Sequence, residues 1–481
     1  MLSHRKTCST LLGLMVWFTV AGLAQDTTPA EGSGFRYTYP VRDTSGRQTV
    51  AASPTSAPAS TADAVPAPPA PSPGPSRGPL SQGPPQVAAD SFETVGQVGD
   101  MPVDVGEGRF ERGPFRYSFA VYEGYNSNVN TQPDNGVESL YTELAAGISY
   151  EFGSSRLQLT TSLTAALSLY YNNSELRNDG LFPTINFLLG ANYSATPQLD
   201  LSFATTTSLL SQPSFTVVGA PDTDQGDYII SNTTMGAKYL WLPKFATETT
   251  YNPLIFYYFD PGANTTDFSR VEQTIGQQFL FLWKPTTSLV AEYRFNTRNY
   301  FYAKNYDSIG NYGLLGVDHT LNPRSSLSFR GGVEQRINQN PDRVGTTPYL
   351  GPYGQLTFNY SLNPNTAISL GSRYGTTASN LDSFNQGQQF SLNLNLQQQI
   401  TRRIAANAFF NYQNNYYNQP DSDEPEFYDN VFNTGVNVSF QVTRLWSLLA
   451  GYTFSMLDST NTGLEKDYTQ NIAYIGAELD F

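Results

Sequence analysis

Between residues 115 and 481, apolar and polar residues alternate in segment after segment. That period of two gives separate faces only on extended strands. Residues 156–171 place Leu157, Leu159, Leu163, Ala165, Leu167 and Leu169 on one face, with Gln158, Thr160, Ser162, Thr164 and Ser168 on the other. Residues 389–400 set Phe390, Leu392, Leu394 and Leu396 opposite Ser391, Asn393, Asn395 and Gln397. Residues 431–442 set Phe432, Val436, Val438 and Phe440 against Asn433, Asn437, Ser439 and Gln441. A soluble sandwich also alternates, but its outer face needs charge. Here charged residues are 14% of the chain, no more than the aromatic ones, against ~25% in soluble globular chains. Lipid on one side of each strand and water on the other account for both the pattern and the composition. After the first 24 residues no apolar run approaches the ~20 residues a helical span needs, so membrane insertion has to use strands.

The turns set the topology. Pro197, Pro243, Pro285, Pro323 and Pro364 follow one another at intervals of 46, 42, 38 and 41 residues. Proline has no N–H for the ladder and marks strand ends. Short turns at Gly153-Ser154, Thr401-Arg402 and Thr443-Arg444 continue the rhythm. Eight short turns join sixteen strands, and one strand at each end brings the count to eighteen, with sixteen as the alternative. The expected fold is all-β: a transmembrane antiparallel up-and-down β-barrel over residues 111–481, with a backbone diameter on the order of 35 Å. Short turns belong on the periplasmic side and long loops outside.

Residues 1–24 read as a signal peptide: basic Arg5 and Lys6, an apolar core from Leu11 to Ala21, and small residues Gly22 and Ala24 before the expected cut. Residues 25–110 are rich in Ala, Pro and Ser, with eleven prolines between Pro54 and Pro85, and read as a disordered periplasmic spacer. Cleavage removes Cys8 and His4, leaving His319 as the last histidine and no thiol. No cofactor or metal is expected. The mature chain would carry 25 basic against 41 acidic residues, which argues against nucleic acid as a partner.

Aromatic residues recur at the short turns. Tyr193, Tyr239, Phe281, His319 and Tyr360 each stand four residues before a turn proline, and Trp241, Trp283 and Trp446 sit at the same turns, as an inner interfacial girdle. Tyr170, Tyr171, Tyr257, Tyr258, Tyr300, Tyr302, Tyr416 and Tyr417 gather at the opposite ends as an outer girdle. His319 therefore reads as a boundary side chain rather than the base of a Ser-His-acid hydrolase, with Asp318 turned to the other face. The polar face carries Glu272, Glu292, Arg294, Arg298, Arg330, Glu334, Arg336 and Arg373. These form either a charged constriction that selects solutes by sign or cross-strand pairs bracing a wet wall. Acidic loops at 222–227 and 420–430 have oxygen ligands but no complete calcium spacing and read as solvated loops.

At the C-terminus Gly476, Leu479 and Phe481 are placed as in the last-strand signal of outer-membrane proteins, which implies recognition by the barrel-assembly machinery. The opening Tyr122-Glu-Gly-Tyr-Asn-Ser-Asn-Val129, the strand LYTELAAGISYEF and units such as YSLNPNTAISLGSRYG resemble the beta-barrel porin-2 family over residues 110 to 481. That resemblance implies an outer-membrane barrel conducting solutes, with some relatives linked to polysaccharide export. The expectation is a non-enzymatic, porin-like channel for small polar solutes or saccharides. The alternatives are a polysaccharide-export barrel and a surface scaffold or adhesin acting through its loops.

Overall fold

The computed structural model describes residues 115–132, 136–172, 176, 180–210, 227–259, 269–302, 307–339, 348–378, 386–417, 426–460 and 467–481. The signal segment, the proline-rich segment, residues 111–114, and residues 222–226 and 420–425 of the two acidic loops lie outside the described residues. The strands are β1 (Phe115–Asn126), β2 (Ser139–Gly153), β3 (Leu157–Tyr170), β4 (Leu181–Thr196), β5 (Leu199–Leu210) and β6 (Tyr228–Leu242). Next come β7 (Phe245–Tyr258), β8 (Arg270–Lys284), β9 (Thr287–Tyr300), β10 (Ser308–Asn322), β11 (Ser325–Asn338) and β12 (Tyr349–Asn363). The set ends with β13 (Thr366–Ala378), β14 (Gln386–Gln399), β15 (Ile404–Tyr417), β16 (Phe427–Gln441), β17 (Trp446–Ser459) and β18 (Tyr468–Asp480).

All eighteen belong to one antiparallel sheet in which each strand pairs with its sequence neighbours. β1 also pairs with β18, in a register running from Ser118↔Asp480 to Asn126↔Ile472, so the sheet closes on itself. Two backbone bonds between Tyr117 and Phe481, 2.8 and 2.9 Å, finish the seam. Closure leaves no open edge, the condition for placing backbone N–H and C=O groups in hydrocarbon. At the seam Gly476 faces inward, and a Cβ there would come within 2.3 Å of the Tyr122 ring. Terminal Phe481 stacks on Tyr117 and Phe119 outside, with ring centroids 6.1 and 5.9 Å away.

The five proline turns share a local device. In each hairpin the register slips one residue just before the turn, between Ser194/Thr196, Leu240/Leu242, Leu282/Lys284, Thr320/Asn322 and Ser361/Asn363. The extra residue lets the chain reverse with proline at a position that owes no ladder bond. Side chains close several turns: the Asn322 and Asn363 carboxamide oxygens each accept a backbone N–H two residues on, both at 2.8 Å. At the turns without proline, the Thr401 and Thr443 hydroxyls take the same role.

The two faces divide as the alternation predicts. Outward side chains are large and exposed, Leu315 at 70% and Ile475 at 67% among them, while the inward rows are rich in Ser, Thr, Asn and Gln. Tyr193, Trp241, Phe281, Trp283 and Trp446 are exposed at the short-turn end, and Tyr239 and Tyr360 share that outward row. The outer girdle needs correction. Tyr171 and Tyr302 are exposed, but Tyr170, Tyr300 and Tyr417 are buried on the inward face, and Tyr258 pairs with inward-facing Tyr228. Consecutive strand residues point to opposite faces, so a Tyr-Tyr pair supplies only one ring to the membrane boundary.

Leu315 stands at the middle of β10 on the outward face. Leu315→Arg is expected to cost about 2–4 kcal/mol near the bilayer midplane. Thr164→Arg on the inward face of β3 should change stability by less than about 1 kcal/mol. Reversible unfolding from lipid vesicles in urea measures both.

Candidate functional site

The closed sheet encloses an interior to which every strand contributes alternate residues, so the candidate site is that inner wall. Its charges are concentrated on β8 to β13. All eight charged residues singled out in the sequence face inward there: Glu272 on β8, Glu292, Arg294 and Arg298 on β9, Arg330, Glu334 and Arg336 on β11, and Arg373 on β13. The structure brings them together with Asp318, which the sequence placed on the inward face, and with Arg270, Tyr312 and Tyr353, which the sequence reading missed. Arg270 has the correct parity, but it is the first residue of β8, where alternation has no preceding strand residue to set it.

Most of these charges are paired along the wall. Glu272 receives Arg270 at 2.7 Å from its own strand and Arg298 at 3.0 Å from β9. Arg294 bonds Glu292 through two nitrogens and reaches three strands away to β12, to the Tyr353 hydroxyl at 3.1 Å and Gln355 at 3.2 Å. Arg330 grips Asp318 with both terminal nitrogens, at 2.8 and 3.0 Å, and lies 3.5 Å from Glu292. Glu334 accepts from Arg336 at 2.9 Å and from the Thr376 backbone N–H at 2.9 Å. Arg294 and Arg373 both lie over the Tyr353 ring, each 5.7 Å from its centroid, and Tyr312 meets that ring edge-on. Arginine suits this network, because its planar fork serves two acceptors and an aromatic face at once. The bracing reading of these residues is therefore realised in the geometry, and it leaves a cationic excess: six arginines against Glu272, Glu292, Asp318 and Glu334.

The opposite wall is chemically different. In a ring of eighteen strands β1 lies nine places from β10, and the described inward rows from β14 round to β5 hold amides, hydroxyls and acids. Asn393, Asn395, Asn407, Asn411, Asn433 and Asn437 line β14 to β16, while Glu143, Asp429 and Glu478 supply negative charge. The basic residue described there, Arg116, sits at the short-turn end and pairs with Glu151 at 3.3 Å.

The β1–β2 connection also enters the interior. Val129, Val137 and Leu176 of the β3–β4 connection pack in one buried cluster with inward-facing Tyr122, Tyr141, Tyr170, Phe182, Leu449, Ile472 and Tyr474. Polar bonds hold the connection there: the Asn128 amide donates to the Gln132 and Thr469 carbonyls at 2.9 and 3.1 Å, and Gln470 donates to the Asn128 carbonyl at 2.8 Å. Thr131 takes a left-handed backbone at φ 50°, which a non-glycine residue holds only where its surroundings impose it. Tyr122, Tyr141 and Tyr170 are thus buried under this segment rather than presented to water.

His319 faces outward and its Nδ1 lies 2.9 Å from the Thr287 hydroxyl, while Asp318 is bound to Arg330 on the other face, so no hydrolase triad assembles around it. Among the described residues no group of His, Cys, Asp and Glu could hold a metal ion.

No protein-family model matches the chain, the porin-2 family included, and no curated protein matches it. Solved structures do. It is similar to the outer membrane protein OpdK from Pseudomonas aeruginosa, with 11% identity over 76% of this chain and 99% of that chain, at a TM-score of 0.42. OccAB3 from Acinetobacter baumannii matches at 11% identity over the same shares, with a TM-score of 0.40. The siderophore receptor PirA from Pseudomonas aeruginosa matches at 10% identity over 76% of this chain and 80% of that chain, with a TM-score of 0.34. The barrel architecture rests on the strand pairing itself and not on these distant likenesses.

Glu334 is fully buried beside Arg336. Glu334→Gln is expected to destabilise the protein by about 3–5 kcal/mol, because it strands a buried guanidinium. Adding Arg336→Met should recover most of that loss, and denaturant midpoints of the two variants report it.

Proposed function

We propose that the chain is a porin-like outer-membrane channel, not an enzyme, through which small polar solutes or saccharides pass passively. The observation that carries this reading is the closed eighteen-stranded wall with apolar residues outside and hydrogen-bonding residues inside. At about this strand number an antiparallel barrel is too wide for wall side chains alone to fill, and it encloses water. The signal-like leader fits export, and the short turns then face the periplasm together with both ends of the barrel. The Gly476, Leu479 and Phe481 ending fits delivery by the barrel-assembly machinery, and the opening strands fit the porin-2 style of barrel.

Saccharides are favoured within the solute class by the amide rows on β14 to β16. Phe409 projects into that wall among Asn407, Asn411 and Asn433. Neutral amides exchange hydrogen bonds with sugar hydroxyls without the strong trapping a charge would impose, and an aromatic ring supplies a face for a sugar ring. The β1–β2 connection narrows the passage from the same wall.

Purified full-length protein added to a planar bilayer should give stable single-channel steps. Deleting residues 128–137 should enlarge them. Absence of steps from correctly folded protein would contradict the channel and favour a scaffold that acts through its loops.

A further inference from the structure

We propose that β10 and β11 carry an oxyanion-binding site at the long-loop end of the interior, built by Arg336, Ser308 and Asn338 around Gly310. The proposal rests on the channel reading and deepens it by naming one class of solute. Ser308 is the Cα partner of Asn338, and Gly310 is the partner of Arg336. Two residues on each strand therefore form a square on the inward face. Three corners carry a hydrogen-bonding side chain and the fourth carries none.

At those three corners a donor is left over. Arg336 spends Nε and Nη2 on Glu334, at 3.3 and 2.9 Å, and Nη2 also reaches the Tyr312 hydroxyl at 3.1 Å. Its Nη1 has no hydrogen-bond partner, and neither have the Ser308 Oγ and the Asn338 Nδ2, although all three atoms are buried. Arg336 is 3% exposed and Ser308 1%. A buried donor without an acceptor is costly, so such groups mark places where a ligand completes the set. Three unspent donors on neighbouring inward-facing residues call for a ligand rich in acceptors.

The surrounding charge selects an anion. Arg298 stands beside Ser308 on β9, and its β8 partner is Glu272, with Arg270 two residues along that strand. Against these and Arg336 stand Glu272 and Glu334, both already bonded to arginine. The Asp307 carboxylate, next along the chain, accepts the Tyr300 backbone N–H at 2.7 Å. The unpartnered amide atoms of Asn407 and Asn433 on the other wall are carbonyl oxygens, which an anion cannot satisfy. Carboxylate, phosphate and sulfate share the needed chemistry: two or three acceptor oxygens and a negative charge. Binding turns the Arg336 side chain from the wall toward the solute, so the site acts as a station for anions in transit.

The test uses the full-length protein in a planar bilayer, carrying chloride current, with sodium phosphate or sodium acetate added at constant ionic strength. Saturable block by phosphate alone assigns the site to phosphate-type anions, and block by acetate alone assigns it to carboxylates. Arg336→Gln and Asn338→Leu should each weaken the block about tenfold, the loss of one charge-assisted hydrogen bond. Ser308→Ala is a third, milder variant that keeps the test valid if Arg336→Gln fails to fold. Current that neither anion blocks, or block unchanged in the variants, overturns the site and leaves the channel standing. If wild-type protein passes no current, the channel reading fails, and calorimetric titration of detergent-solubilised protein with phosphate and acetate decides the site. Binding weakened by Ser308→Ala and Asn338→Leu upholds it, and no binding overturns it.

Discussion

Hydrocarbon offers no partner to a peptide N–H or C=O, and every other property of this fold follows from that single deficit. A strand laid in lipid has to bond on both sides, so the sheet must end where it began, and β1 does pair with β18. Antiparallel neighbours and closure together favour an even number of strands, and short connections at one end fix which strands are adjacent. Once the ring is closed, each residue faces either lipid or the enclosed space. The alternation in the sequence is the direct consequence.

The enclosed space tolerates what the outer face cannot. Six arginines project from β8, β9, β11 and β13 because carboxylates and tyrosine hydroxyls on the same strands or their neighbours absorb most of their donors. Asparagine-rich β14 to β16 and acidic Glu143 and Glu478 give the other side a different character. A solute crossing such an interior would meet cationic excess on one flank and neutral or acidic groups on the other. The β1–β2 connection adds an apolar, tightly bonded wedge to the second flank.

Strand number, closure and the inward placement of the charged residues were legible in the sequence, because each depends on local periodicity. The proline turns were legible for the same reason: a residue that cannot donate to the ladder announces where the ladder stops. Features that depend on where a long side chain or a loop ends up were not legible. Tyr300 and Tyr417 were read as boundary residues although a one-residue difference in parity buries them inside. The wedge at Val129 and Val137 was invisible because loop composition does not reveal which way a loop folds. Arg270 escaped notice at the start of β8, and the donors left over on Arg336, Ser308 and Asn338 can be identified only once every partner is placed.

Alternate residues of one strand face lipid and water. The chain has a single cysteine, Cys8, so single-cysteine variants are simple to make once Cys8 is replaced. Cysteines placed in turn at positions 392 to 397 of β14, labelled with a polarity-sensitive fluorophore in vesicles, test it most directly. Strong quenching by lipid-borne nitroxide is expected at 392, 394 and 396, and access to a water-soluble quencher at 393, 395 and 397. Uniform behaviour along the strand, or a period near three to four residues, would contradict it.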